Sequence, residues 1–287
     1  MKFQILSILM CISVFSFAQQ KTYTQAIIYT TTNIIAPEDE NFDSNPNGQE
    51  NSRGGFNFRN MMDGETKFTT YLKDNLIKTS IKSEVTKSTI YRDELNKKTT
   101  TIMQMMGNTM GFYTTDEDLI NMQKKQDSLF AEKRKKDTSN RVNSFIPERK
   151  KSNVELIETD EIKKIAGFNC KKAYLVSTKY LDNKDTTTLW YTPNLKFQNI
   201  SFTGTISGMP GMNFGLNGFE KIDGFVMKYE SKLRRGRKLE VEVSKIELDK
   251  DINDKEFNIP QDVEIKPMSE MQNMFGGGRG GFMRGRD

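Results

Sequence analysis

The 287-residue chain has no histidine, two cysteines and one tryptophan. Without histidine there is no imidazole acid or base, no His-dependent catalytic triad and no His-ligated zinc site. Cys11 lies inside an N-terminal apolar run, which leaves Cys170 as the one cysteine of the remaining chain, so no internal disulfide is expected. After that first run no stretch approaches the ~18 consecutive apolar residues of a spanning helix, and no transmembrane segment is expected in the mature protein. Charge of one sign is also lacking. Lys and Arg number 43 against 38 Asp and Glu, a net +5 too small and too dispersed to be the footprint of a nucleic-acid partner.

The N-terminus carries Lys2, an apolar run from Phe3 to Phe17, and Ser16-Phe17-Ala18 before Gln19. This pattern predicts a secretory signal peptide cleaved after Ala18. Cys11 follows Leu9-Met10 rather than a small residue, which argues against lipidation there. Removing residues 1–18 from 287 leaves 269, read as a single β-rich domain over 19–274 followed by a Gly/Arg tail at 275–287. The expected location is the periplasm or outer envelope. The tail is low in complexity and is expected to be disordered.

What is present is period-two writing. Lys21 to Ile35 reads as an opening strand, and in Leu76 to Val85 the positions Ile77, Thr79, Ile81, Ser83 and Val85 face one way while Lys78, Lys82 and Glu84 face the other. Thr89–Tyr91, Lys97–Met105 and Asn108–Thr114 continue a meander with turns at 93–96 and 107–108. Val154–Glu158, Phe168–Lys179 and Thr186–Tyr191 are further strands. Phe168, Cys170, Tyr174 and Val176 share one face by simple alternation, with Lys172 breaking the pattern. Phe225, Met227, Tyr229, Ser231 and Leu233 alternate with Lys228, Glu230 and Lys232, then Leu239, Val241 and Val243 follow across a 234–237 turn, a clear hairpin signal. The apolar phase then switches to Ile246 and Leu248, which predicts a bulge near Ser244-Lys245.

Two segments depart from this. Residues 37–65 are rich in Asn, Asp, Gly and Ser and read as a long flexible loop. Asp116 to Asp137 changes to helical period, with Leu119, Met122, Gln126, Leu129 and Phe130 on one stripe, acids at the start and Lys133-Arg134-Lys135-Lys136 at the end complementing the dipole. A linker over 137–151 follows.

The stretch Gly208-Met-Pro-Gly-Met-Asn-Phe-Gly-Leu-Asn-Gly218 combines turn residues with Met209, Met212, Phe214 and Leu216, more apolar side chain than a turn requires. It reads as a bend lying on the sheet, as core plug or cavity lining. Met103, Met105, Met106 and Met110 cluster at a turn. They suit adaptable apolar lining better than Cu(I) ligation, which usually adds His or Cys. Trp190 reads as a core or cavity-wall residue.

Gly208-Met-Pro-Gly-Met-Asn213 resembles the Gly-Leu-Pro-Gly-Leu-Ile signature of the GLPGLI family of exported bacterial proteins, with methionine in place of both leucines and Asn213 in place of the isoleucine. Ile165-Ala-Gly-Phe-Asn-Cys-Lys-Lys-Ala173 resembles that family's Ile-x-Gly-Tyr-x-Cys-x-Lys-Ala element, and Leu189-Trp-Tyr-Thr-Pro193 its Trp-Tyr-Thr element. The resemblance implies a build similar to Lol-type periplasmic lipoprotein carriers: a mainly β (α+β) protein with a curved antiparallel open half-barrel sheet and one amphipathic helix. It brings no catalytic residues and no cofactor.

The function expected is therefore non-enzymatic: a hydrophobic ligand or lipidated partner held on the concave face, with Met209, Pro210, Met212, Phe214, Leu216, Trp190 and Met105 as the ligand-binding residues. The alternative is an envelope interaction module beside an outer-membrane transporter. As an enzyme the chain offers only Ser207, Glu220, Lys221 and Asp223 near the bend, which form no recognisable constellation.

Overall fold

The computed structural model describes residues 21–35, 64–84, 86–105, 107–137, 153–179, 183–197, 218–233 and 236–270. β1 (Lys21–Tyr23) and β2 (Gln25–Ile35) are followed by a meander of β3 (Gly64–Lys73), β4 (Leu76–Lys82), β5 (Thr86–Asp93), β6 (Lys98–Met105) and β7 (Asn108–Thr115). Helix α1 (Asp116–Asp137) comes next, then β8 (Asn153–Ile165), β9 (Phe168–Lys179), β10 (Asn183–Thr192), β11 (Leu195–Phe197), β12 (Phe225–Lys232), β13 (Lys238–Leu248) and β14 (Ile265–Pro267). Twelve strands form one sheet in the order β14-β7-β6-β5-β4-β3-β2-β13-β12-β10-β9-β8, and β1 pairs with β11 apart from it. The sheet is curved and not closed into a barrel, so the mainly β expectation holds. Its neighbours are antiparallel except β14 on β7, and β1 on β11 is a second parallel pairing that the alternation pattern did not announce.

Local chemistry sets the turns. β8 and β9 meet through Ala166-Gly167, both at positive φ (46° and 91°), the mirror-image two-residue turn whose twist matches the flanking strands. Asp93 closes the β5–β6 turn by accepting from the backbone N–H groups of Leu95 and Asn96 at 2.9 and 3.0 Å. α1 starts in a reciprocal cap: Asp118 accepts from the Thr115 N–H at 2.9 Å, while the Asp118 N–H donates to the Thr115 hydroxyl at 3.1 Å.

The register lines residues up in rows across β2 to β7. One row runs Ala26, Leu72, Ile77, Arg92, Thr99, Thr114; the next Ile28, Thr70, Thr79, Ile90, Thr101, Phe112; the third Thr30, Phe68, Ile81, Ser88, Met103, Met110. All but Arg92, Thr99 and Met110 are buried, and these rows define the inner face. The bulge expected near Ser244-Lys245 is present as a register shift between Val243 and Lys245, and it sets Ile246 and Leu248 opposite Ile28 and Ala26. The largest core cluster joins Ile34 to Leu189, Tyr191, Tyr229, Leu239 and Val241, and a second joins Ala26 and Leu72 to Cys170, Leu195, Phe225 and Met227.

On the opposite face Ile27, Tyr71, Lys78, Tyr91, Thr100 and Tyr113 form one line. The chain after β13 reaches the lysines of β3 and β4: the Lys73 ammonium donates to Ile252 O at 2.8 Å and pairs with Asp254, and Lys78 pairs with Glu256 at 2.7 Å. It continues to β14 beside β7, where Gly111 leaves room for it. A Cβ on Gly111 would collide with Ile265 Cδ1 and stand 3.0 Å from Glu264 O.

Three expectations change. β8 runs to Ile165, well past Glu158, because its polar half lies on an edge strand where charged side chains keep solvent, and a bulge between Glu158 and Ile162 absorbs the extra residues. On β9 the buried set is Cys170, Ala173 and Leu175, not the simple alternation through Tyr174 and Val176. The phase changes opposite that bulge, which explains Lys172: it lies on the partly solvated side, paired with Glu161 at 2.9 Å and over the Tyr174 and Trp190 rings. Helix α1 has the expected bounds, but of the described side chains on its stripe Leu119 and Leu129 are exposed and Met122 is half-buried. Leu119 and Leu129 are 36% and 51% exposed, since the helix is polar nearly all round and is held at its first turn.

Candidate binding face

Of the residues expected to bind a ligand, Met209, Pro210, Met212, Phe214 and Leu216 lie outside the described residues, as do the 37–63 loop, the linker from 138 to 151, Ser207, the signal segment and the C-terminal tail. Met105 ends β6, opposite Thr86 and Asn108. Trp190 is half-buried on β10, between Lys172 and Lys228 and so on the side away from Leu189; it packs against the second core cluster and lies 5.8 Å below the Lys172 ammonium. The structure thus leaves Met105 and Trp190 on separate strands far apart in the sheet order.

The inner face of β2 to β7 is a mosaic in which nearly every aliphatic side chain has a hydroxyl beside it. Thr30, Thr32, Thr66, Thr70, Thr79, Ser88, Thr101 and Thr114 are all buried there among Ile28, Phe68, Leu72, Ile81, Ile90 and Phe112. β-branched threonine suits a strand and carries both a methyl and a hydroxyl, so it serves an apolar face at the cost of a polar atom to satisfy. Thr70 and Thr79 meet hydroxyl to hydroxyl at 3.2 Å across β3 and β4. Thr32 and Thr101, 4% and 0% exposed, have buried hydroxyls without a hydrogen-bond partner. Leaving such a group unpaired costs roughly 1–3 kcal/mol.

Charge is kept to the rim. Arg92 is the one charged member of the three rows, and its guanidinium is held by both Asp116 oxygens at 2.6 and 2.9 Å and by Glu94 at 3.1 Å. The guanidinium hydrogen-bonded to it holds the Asp116 carboxyl below the usual carboxylate range. At the β8 end the Tyr191 hydroxyl donates to Glu158, and burial, with that carboxylate, pushes the phenol up to about 12.

Cys170 is fully buried, donates to Phe168 O at 3.4 Å, and has its thiol pushed up to about 11 by burial. A thiol kept protonated is a poor nucleophile. The polar residues after the bend pin the chain: Glu220 accepts from the Gly218 N–H at 3.0 Å, Lys221 donates to Val154 O, and Asp223 pairs with Lys196. Among the described residues no group of three or more His, Cys, Asp or Glu is placed to hold a metal ion, and no described helix is long and apolar enough to cross a membrane. The inner face can therefore bury apolar surface and hydrogen-bond neutral groups. Its threonines were visible in the sequence as Thr30-Thr31-Thr32 and Thr99-Thr100-Thr101, but a threonine run in a strand does not say which of its members share the buried face.

No family model matches the chain, and no curated protein matches it. Among solved structures it is similar to PNGF-II in a C2 crystal form, at 14% identity and a TM-score of 0.37 over 89% of this chain and 33% of that one. The P21 form of PNGF-II gives 14% identity and 0.36 over 89% and 34%. The chain spans about a third of the length of those structures, and a likeness of this degree says nothing of its chemistry.

Proposed function

We propose that this is an exported, non-enzymatic binding protein of the bacterial envelope, which holds a hydrophobic ligand or the acyl part of a lipidated partner on the inner face of its sheet. One observation carries the reading. The inner face of β2 to β7 is rich in Ile, Leu, Phe and Met; among the described residues its Ala26, Ile28, Leu72 and Ile77 pack with Cys170 and Leu195 of the far strands, while Phe68, Ile81 and Ile90 form a cluster of their own, α1 touches β7, and the short helix Asp254–Phe257 touches β4 through the opposite face. A sheet needs its apolar face covered, and a ligand is one cover. Export rests on the N-terminal pattern and on the resemblance to the GLPGLI family.

The test is a titration of the full chain with the apolar fluorophore 1-N-phenylnaphthylamine. A saturable rise in emission, reversed by hexadecanol, supports the reading. A linear, non-saturating response contradicts it.

A second reading, a partner-binding module beside an outer-membrane transporter, is favoured by the edge strand β8, where Ile157 and Ile162 are 43% and 68% exposed. Cross-linking in intact cells from cysteines placed at these positions tests it. Adducts with an outer-membrane transporter are expected, and monomer alone would count against it.

A further inference from the structure

We infer that the outer edge of β7 is a strand-docking site: in the resting molecule the chain's own C-terminal segment occupies it, and it yields the edge to an extended segment of a partner protein that sets a branched aliphatic residue against Gly111. The inference does not depend on the hydrophobic ligand proposed above. Its first support is how lightly the C-terminal segment is held. Ile252, 3% exposed, is its last buried side chain, and none from 253 to 267 is buried. Its fastenings are the short helix Asp254–Phe257, tied to β3 and β4 through Asp254 with Lys73 and Glu256 with Lys78, and the three residues of β14. Asp254 and Glu256 are 86% and 43% exposed, and ion pairs so exposed are weak and screened by salt. Segments with few buried apolar contacts are the ones that open while the rest of a fold stays closed.

The second support is what the segment covers. β7 is eight residues long and pairs with β6 along one side, but along the other β14 pairs only with Gly111, Phe112 and Tyr113. The Thr115 N–H is taken by Asp118, while among the described residues no strand pairs with this side of Asn108 to Met110, and Asn108 and Thr109 are exposed. A partly covered edge is a template for an added strand. Gly111 supplies the selectivity: the space of its missing Cβ is filled by Ile265 Cδ1, with Val263 Cγ1 at 3.0 Å. Side chains of an added strand alternate, so the sequence that fits carries branched aliphatic residues two apart, as Val263 and Ile265 are. A partner strand paired along all eight residues gains more than the three-residue contact, and it needs that gain, because a tethered segment competes at an effective concentration on the order of 1 mM.

The experiment first follows hydrogen exchange of the full chain at about 50 mM and about 500 mM salt. Exchange over 254–267 should run ahead of β2 and β13 and quicken about 2- to 10-fold in high salt, while theirs stays unchanged. The full-length variant Asp254→Asn/Glu256→Gln/Ile265→Ala then loosens the segment, and a fluorescein-labelled peptide of sequence 259–270 is titrated into it. The peptide should bind the variant about tenfold or more tighter than the parent, and the same peptide carrying Ile265→Ala should lose about that much. Exchange in β2 and β13 as in the parent shows that the variant is folded. Exchange over 254–267 that tracks β2 and β13 at both salt concentrations makes the segment a fixed part of the sheet and overturns the inference without any variant. Equal binding of the two peptides overturns Gly111 as the point of selection. Dimerisation of the parent at high concentration, abolished by Ile265→Ala, gives the edge to a second copy and overturns the partner segment as its occupant.

Discussion

The Thr70 hydroxyl stands 3.2 Å from the Thr79 hydroxyl, buried across β3 and β4 in the middle of the inner face. Each satisfies the other, so this pair is stabilising, in contrast to Thr32 and Thr101 on the same face. Thr70→Val should leave Thr79 unpaired and lower stability by roughly 1–2 kcal/mol, whereas Thr70→Val/Thr79→Val should recover most of the loss. Urea unfolding of the two single variants and the double variant checks this; a double variant as unstable as the sum of the singles would contradict it.

Gly111 is the point at which β7 admits the C-terminal strand. Gly111→Val should destabilise by about 1–3 kcal/mol through overpacking, because its side chain would occupy the positions of Ile265 and Val263. Hydrogen exchange should speed up over 263–267 before it does so in β2 or β13. Unchanged exchange in that segment would show that it bears no load on the sheet.

The contact between Arg92 and Asp116 carries a pH signature. The Asp116 carboxyl is depressed by the guanidinium bonded to it, so its contribution is fully present above the ordinary aspartate range near pH 4 and is lost as pH falls below it. The side chain is 44% exposed, so solvent screening limits the effect to less than about 1 kcal/mol. Asp116→Asn should flatten the acid limb of the stability curve below about pH 4 without altering stability differences between about pH 6 and pH 8.

Much of the sheet was legible because one face is wet and one is dry: Ile77, Thr79 and Ile81 fall as alternation requires, and the Val243–Ile246 phase switch located a bulge. Legibility failed where register depends on a neighbour. The β9 phase change answers a bulge in β8, which no residue of β9 encodes. The parallel β14 comes from a three-residue strand, too short for a period to be read. α1 was legible in its bounds, through the acids of its first turn and the basic run at its end, but not in its packing, since a stripe of a few apolar residues states only what a helix could bury. The candidate face was half legible: its apolar members follow the alternation, while the hydroxyls between them could have belonged to either side.

That contrast between core and helix is measurable. Leu189→Ala, at a fully buried position of the first cluster, should cost roughly 2–5 kcal/mol, and Leu129→Ser, on the exposed side of α1, should stay within about 0.5 kcal/mol. Chemical denaturation of both variants decides it. A large loss on Leu129→Ser would contradict the exposure of that side chain.

The most direct measurement is native mass spectrometry of the full chain purified without detergent from its own cells, followed by lipid identification in the released fraction. A lipid or other hydrophobic ligand bound at one equivalent is the predicted result. A parent protein that carries no lipid and also gives no saturable response with 1-N-phenylnaphthylamine would contradict it.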